Sequence, residues 1–508
     1  MKLFSKSIAF LAISALTFGV QAKKIDAGNV NNYLRSSIYT ILLNSENQNQ
    51  RFEKEAKEAM AGDAGSITSI AKSFAGTDAK KAANETEENL FSLPAKLFPE
   101  IEIPNQFNNH NLEERVIDFD AIRATVTDQE KDLYNPKTKN QKAGAFAKGL
   151  ASGLMGGATG KSESSMLKVD EVDDYLPAVM HKYFEKNKVA PKLLAKWYNY
   201  NPSNQAPWDL NLIMDRGLYN FTQDEINRAA TDPSLKTKIN GTGFDLINNT
   251  YLVALNLRFR SYQAVVQEAA ALAKAAGSMF GSIGSLAADV ASSAASAAAG
   301  DGYTVQAVSH LYKLKWNDEL NDKFAEEIYG KNASLEDLIN SGLCELEYLG
   351  KEKAQANVRQ SLFSSKPMSD LVKRATTRAV DAAIVKLQNK NEQFRTATPI
   401  IGGDGNGIIH AAIGTKEGLS EKDEYEILEA LEDENGRISY KSIGTVKPVK
   451  GKIWNNVYGA VEEAEENAKN AQGKDKDFDN DAVNYGYTEF KGKKGDYTGY
   501  FIRLKKKK

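Results

Sequence analysis

The chain of 508 residues has one cysteine, Cys344. An intramolecular disulfide is therefore excluded, and so is lipid attachment at a cysteine opening a mature chain. Histidine is scarce as well. His110, His181, His310 and His410 share no helical ligand spacing, and no HExxH occurs, so zinc hydrolysis has no support. Neither a GxSxG elbow nor a Walker phosphate loop is present. An excess of one charge is also missing: 65 basic against 67 acidic residues leave a formal charge of −2. That balance argues against nucleic acid as a partner. Beyond the first 22 residues no uniformly apolar run reaches the length needed to span a bilayer.

What is there begins with MKLFSKSIAFLAISALTFGVQA. Lys2 and Lys6 form a basic start, Ile8 to Val20 an apolar core, and Val20-Gln21-Ala22 a small-residue cleavage site. This pattern predicts a secretory signal peptide over 1–22 and hence an exported protein, located in the periplasm, on the outer membrane or outside the cell. Cleavage removes two lysines and no acid, which takes the formal charge from −2 to −4.

Residues 26–60 read as a helix, with Val30, Leu34, Ile38, Ile41 and Leu42 at helical spacing. PAKLFPEIEIPNQF supplies proline-punctuated extended chain, VIDFDAIRATV (116–126) reads as a strand, and NPKTKNQK as a linker. Helices are expected over 175–187, 190–201 and from Thr222, where Glu225 completes a capping box. The clearest strand carries Val253, Leu255, Leu257 and Phe259 in alternation. A partner strand over 303–316 changes its apolar phase, which points to a bulge near Ala307 or to a change of environment along the strand. Residues 369–394 form the strongest amphipathic helix. After TPIIGGDGNG, short strands separated by glycine and charged turns predict a small β-barrel, broken by the helical insert EEAEENAKNA.

Three segments are rich in small residues. In AAGSMFGSIGSLAADVASSAASAAAG (275–300) the residues sort by spacing. Gly277, Gly281 and Gly284 form one stripe, Met279, Ile283, Leu286 and Val290 a second, and serines a third. The arrangement predicts a helix with a glycine face for close backbone approach. Residues 143–160 repeat it with Gly149 and Gly153, and a weaker version has Ile67, Ile70 and Phe74. Ordinary close packing within the chain is one use of such faces; self-association or contact with a membrane surface is the other.

Asp475, Asp477, Asp479 and Asp481 alternate as in a calcium loop, but Asn480 and Gly486 stand where that loop has Gly and Glu. The expectation is a solvated acidic loop, with calcium the lesser alternative and no other cofactor. The basic end, KGKKGDYTGYFIRLKKKK, reads as a solvated tail or an anion-facing one.

LIMDRGLYNFTQDEINRA, LINNTYLVALNL and RAVDAAIVKLQNKNEQFRTATPI resemble stretches of uncharacterised exported proteins of Bacteroidetes-type bacteria. The resemblance implies export but no activity and no functional residue. The C-terminal strand pattern is similar to that of SH3-like barrels.

The expected architecture is α+β. A signal peptide (1–22) precedes a helical and extended region (23–135). A mixed helix–strand main domain (136–398) and a β-rich small-barrel domain (399–508) follow. The expected function is that of an envelope binding or assembly module, with an envelope protein, a second copy or a membrane surface as partner. The alternative is a polymer hydrolase working through carboxylates such as Asp118, Asp120 and Asp215.

Overall fold

The computed structural model describes residues 23–24, 35–61, 91–134, 171–217, 228, 231–261, 302–359, 368–434, 436–469 and 482–507. Its first half comprises β1 (Lys23–Lys24), β2 (Ser37–Asn44), α1 (Glu46–Ala61), α2 (Leu93–Leu97), β3 (Asn108–Asn109), β4 (Val116–Asp118), α3 (Phe119–Arg123) and α4 (Asp128–Tyr134). Helices α5 (Glu171–Asn187), α6 (Val189–Trp197), α7 (Asn211–Arg216) and α8 (Pro233–Asn248) lead into β5 (Thr250–Ser261) and β6 (Gly302–Leu314). Then come α9 (Asp318–Lys323), α10 (Leu335–Ser341), β7 (Leu346–Arg359) and α11 (Met368–Lys390).

Strands β2 to β7 form a mixed sheet in the order β3-β2-β5-β6-β7, with β4 pairing β2 beyond β3. The sheet therefore draws on both the 23–135 and the 136–398 stretches. β2 runs parallel to β3, β4 and β5, whereas β5–β6 and β6–β7 are antiparallel.

The helix expected over 26–60 is corrected here, because Ile38, Ile41 and Leu42 lie on β2 and the helix starts only at Glu46. SIYTILLN is apolar on consecutive positions because both faces of β2 are covered, the pattern of a central strand with parallel neighbours. Ile38 and Leu42 enter one core while Tyr39, Ile41 and Leu43 enter the other. VIDFDAIRATV likewise splits into β4 and α3, because Asp118 caps the helix by accepting from the Ala121 N–H at 3.0 Å. In PAKLFPEIEIPNQF the first residues form α2 and a 3-10 turn, and only the rest is extended.

α11 covers one sheet face. Its alanines 375, 379 and 383 are fully buried and let it lie close against Val253, Leu255, Val305 and Leu311. α5 covers the other face through Leu176, Val179 and Met180 against Tyr39, Leu252 and Ala254. Burial on both faces explains the phase change in β6. Of the two explanations the change of environment holds and the bulge near Ala307 does not, since pairing with β5 runs unbroken from Tyr303↔Ser261 to Lys313↔Tyr251. The irregularity lies on the β7 side, between Leu311 and Tyr312.

The C-terminal unit contains β8 (Thr398–Gly403), β9 (Ile408–Ala411), β10 (Glu424–Glu432), β11 (Ile438–Pro448), α12 (Ala460–Lys469), β12 (Thr488–Lys491) and β13 (Phe501–Lys506). The order β10-β11-β12-β9-β8-β13 returns to β10, closing a six-stranded antiparallel barrel. Closure leaves no long unpaired edge. Ile400, Ile409, Tyr425, Ile427, Val446, Phe490 and Ile502 fill the interior. Opposite Ile427 and Leu428 the register slips by one residue on β11, from Gly444 to Ser442, while β10 keeps its alternation. Leu428 and Ala430 therefore face away from Tyr425 and Ile427 and join Phe501 in a separate cluster. β1 pairs with Leu431 and Glu432 of β10.

The basic end is part of this barrel rather than a solvated tail. Arg503 lies 2.8 Å from Glu426, Lys505 3.5 Å from Glu424 and Lys507 2.7 Å from Asp423. GGDGNG is the β8–β9 turn, with Asp404 accepting from the Asn406 and Ile408 N–H groups at 2.8 and 2.9 Å.

Candidate functional site: a cleft between sheet and barrel

The barrel is held to the sheet unit at two places. At the β10–β11 turn, Arg437 pairs with Asp318 and lies 4.1 Å over the Phe244 ring. There Asp245 accepts from the Ile438 N–H at 2.8 Å. Burial pushes the Asp245 carboxyl up to about 6, against that hydrogen bond and Arg437. At the second place α11 meets α12. Arg374 donates to the Gly459 carbonyl at 3.2 Å, and Arg378 donates to the Tyr458 carbonyl at 2.7 Å and pairs with Glu463 at 2.9 Å. Gly459 has φ +75°, and a Cβ there would meet the Arg374 guanidinium at 2.9 Å.

Beside the second contact a cleft of about 660 Å³ opens. Arg35, Asn105 and Gln106 line it from the sheet unit. Thr398, Ile413, Lys416, Glu417, the Trp454–Val457 loop and the first turn of α12 line it from the barrel.

Its barrel wall is locked by hydrogen bonds. Asn456 accepts from the Lys416 N–H at 2.8 Å and donates to Glu417 at 2.8 Å, and Glu417 also accepts from the Gly414 N–H at 2.7 Å. Thr415 donates to Asn455 at 3.1 Å. The Trp454 indole N–H donates to the Val483 carbonyl at 3.3 Å, and the Trp454 backbone N–H donates to the Thr488 hydroxyl at 3.0 Å. Gly414 permits this approach, since a Cβ there would sit 2.2 Å from the Trp454 carbonyl.

The opposite wall is a turn over 104–107, anchored by Phe107 stacked on Phe394 at 5.3 Å. Gln106 and Thr398 are each only 9% exposed, yet neither side chain has a hydrogen-bond partner. The polar atoms of both side chains are open to the cleft, where they can pair with a ligand.

Behind Lys416 sits Asp381 of α11, its carboxylate 4.0 Å from the Lys416 Nζ. Burial is the main cause that lifts its carboxyl to about 7; Lys416 and Arg378 pull it down and Glu417 pushes it up.

A second polar cluster lies on the α5 face of the sheet. Asp173 pairs with Arg258 at 2.6 Å and with Lys353 at 3.3 Å. Burial pushes Asp173 up, but the two cations outweigh it and hold the carboxyl below its ordinary range. His310 is fully buried and accepts from or donates to the Tyr348 hydroxyl at 3.2 Å through Nδ1. Its desolvation lowers its pKa to about 3. His110 is similarly buried at the chain's other end of the sheet, stacked on Trp197 at 4.6 Å. The Arg216 guanidinium donates to its Nδ1 at 2.9 Å, so its Nε2–H donates to the Leu193 carbonyl at 2.9 Å. Both imidazoles are framework groups, neutral and enclosed.

The carboxylates nominated from sequence do not converge on a site. Asp118 caps α3, and Asp120 accepts from the Ser45 hydroxyl at 2.8 Å and the Asn47 N–H at 3.1 Å. Asp215 lies exposed on α7. Cys344 is half-buried, and burial pushes its thiol up to about 12, the opposite of nucleophile activation. Gly149, Gly153, Gly277, Met279, Gly281, Ile283, Gly284 and Leu286 lie outside the described residues. So do the signal peptide, the helix expected from Thr222 and the calcium candidates Asp475, Asp477 and Asp479. Among the described residues no group of three or more metal-ligating side chains is found, and no helix is long and apolar enough to cross a membrane.

The comparisons with protein-family models, curated proteins and solved structures found no match.

Sequence reasoning missed the cleft entirely. Its two walls are separated by about 300 residues of chain, and Gln106, Thr398 and Trp454 form no motif. The one available signal was composition: Trp454 stands in KGKIWNNVYG, a stretch of glycine and asparagine.

Proposed function

We propose that the chain is an exported binding protein whose ligand seat is the cleft between sheet and barrel. The observation that carries this reading is the pair of unpartnered, nine-tenths-buried polar side chains, Gln106 and Thr398, lining a cleft of about 660 Å³. That volume falls within the ~300–1,000 Å³ of small-ligand sites. A wall held rigid by the Gly414–Glu417–Asn456 network supports binding with little reorganisation. Export rests on the leader-like N-terminus. The Gly/Ala-rich segments complete the proposal as surfaces for an envelope partner, a second copy or a membrane.

Ala412 is exposed at the cleft, so Ala412→Trp should plug it without touching a core. A thermal-shift screen of sugars, peptides, nucleosides and carboxylates should find at least one class that raises the melting temperature of the parent chain. A ligand at 100 times its Kd stabilises by roughly 2.7 kcal/mol. The plugged variant should show no such rise. A rise that persists in the plugged variant, or none in the parent, refutes the cleft as the seat.

A further inference from the structure

Charged groups around the cleft cancel and are largely engaged with the protein itself. Arg35 and Lys416 face Glu417 and Glu462. Glu417 is held by the Gly414 N–H and the Asn456 amide, and Lys416 has Asp381 behind it at 4.0 Å. Because side chains of both signs line the cleft, neither an anion nor a cation meets a lining of uniformly opposite charge to replace its hydration.

The groups left with unused hydrogen-bonding capacity are neutral. They are the Gln106 and Asn105 carboxamides, the Thr398 hydroxyl and the amide nitrogen of Asn455, whose oxygen is already taken by Thr415. Two carboxamides in sequence on one turn offer paired donors and acceptors, which suits vicinal hydroxyls that donate and accept at once. Beside them is Trp454, anchored by its Nε1. The other three tryptophans, 197, 208 and 316, are at most 6% exposed. Ile413, Pro399 and Val457 supply the remaining apolar lining. Neutral amides beside an indole and aliphatic surface match a ligand with polar edges and C–H faces.

We propose that the cleft binds a neutral saccharide, its hydroxyls paired with Gln106, Asn105 and Thr398 and its C–H surface against Trp454. This rests on the reading of the cleft as a ligand seat and names the ligand's chemistry.

The test uses the full chain and Trp454 as the built-in reporter. Maltohexaose, cellohexaose, xylohexaose, mannohexaose and chitohexaose are titrated at up to millimolar concentration, followed by intrinsic fluorescence and calorimetry. A tetra-alanine peptide and inorganic phosphate are the comparison probes. At least one oligosaccharide should change the fluorescence. Gln106→Leu should weaken it about tenfold, the value of one hydrogen bond. Because Gln106 bonds nothing in the protein, this variant should keep the parent's melting temperature. Asn105→Ala, at an exposed position, serves as the second variant and should also weaken binding.

Binding of the peptide or phosphate with no response to any sugar overturns the saccharide class while leaving the cleft a ligand seat. Sugar binding indifferent to both variants overturns the placement. No response to any probe overturns the saccharide proposal, and the broader seat falls separately if the thermal-shift screen is also blank.

Discussion

Replacing Asp381 by Asn separates two opposed accounts of the barrel contact. In one, Asp381 and Lys416 form a stabilising ion pair across the junction. In the other, favoured by the geometry, a carboxylate is enclosed with too little compensation. Its side chain is 9% exposed, the Lys416 Nζ is 4.0 Å away, and Oδ2 has no hydrogen-bond partner. Arg378 is occupied by the Tyr458 carbonyl and Glu463.

Burial accordingly raises the carboxyl from 3.8 to about 7. A carboxyl raised on folding favours the native state fully below its unfolded value, and that contribution is lost as pH rises through the folded value. Between pH ~4.5 and ~7, at about 1.36 kcal/mol per pH unit, the parent should lose roughly 3 kcal/mol from this group. Asp381→Asn cannot ionise and should not. Urea unfolding of both proteins at pH ~4.5 and ~8 gives the gap between them, and its change with pH is independent of how well the amide is accommodated. The gap should move by ~3 kcal/mol in favour of Asn at the higher pH. A gap that stays constant, or moves toward the parent as pH rises, refutes the reasoning and establishes the ion pair.

His110 offers the opposite dependence. Burial lowers its pKa from 6.5 to about 3, so its contribution is present above the unfolded value and lost as pH falls. Relative to His110→Gln, the parent should lose about 2 kcal/mol between pH ~6.5 and ~5. His110→Ala should cost roughly 3 kcal/mol or more at neutral pH, since it opens a cavity and strands the Arg216 guanidinium and the Leu193 carbonyl. Chemical denaturation measures both. Deleting 275–300 should leave the β5–β6 hairpin folded, because its pairing is continuous as far as Ser261↔Tyr303. Far-UV circular dichroism would then change only by the loss of the deleted residues, while assembly or liposome binding disappears. Unchanged assembly and liposome behaviour would remove those residues from the proposed function.

Strongly periodic elements were legible. The amphipathic pattern of 369–394 became α11, the alternation of Val253 to Phe259 became β5, and the glycine- and charge-punctuated run after 398 became the barrel. β2 was not legible, since SIYTILLN fits a helical face as well as a doubly buried strand. What decides between them is the neighbours, β3 and β4 on one side and β5 on the other, some 200 residues along the chain. The phase change in β6 was visible, but its cause was two covered faces and not a bulge. In β10 burial passes from one face to the other at Ile427/Leu428, which left only two adjacent apolar residues in an otherwise ordinary alternation.

By itself, then, the sequence determined local and compositional matters. It excludes an intramolecular disulfide, makes charge a poor basis for recognition, and specifies where periodic helices and strands form and that a small barrel follows a mixed unit. Those properties depend on residues within one or two turns of each other. Only the tertiary structure decided which carboxylates are occupied by caps, which histidines are sealed in as neutral groups, and that Gln106, Thr398 and Trp454 share a cleft. Burial and pairing belong to contacts between distant segments, and they give a glutamine or an aspartate a chemistry that its neighbours in sequence do not record.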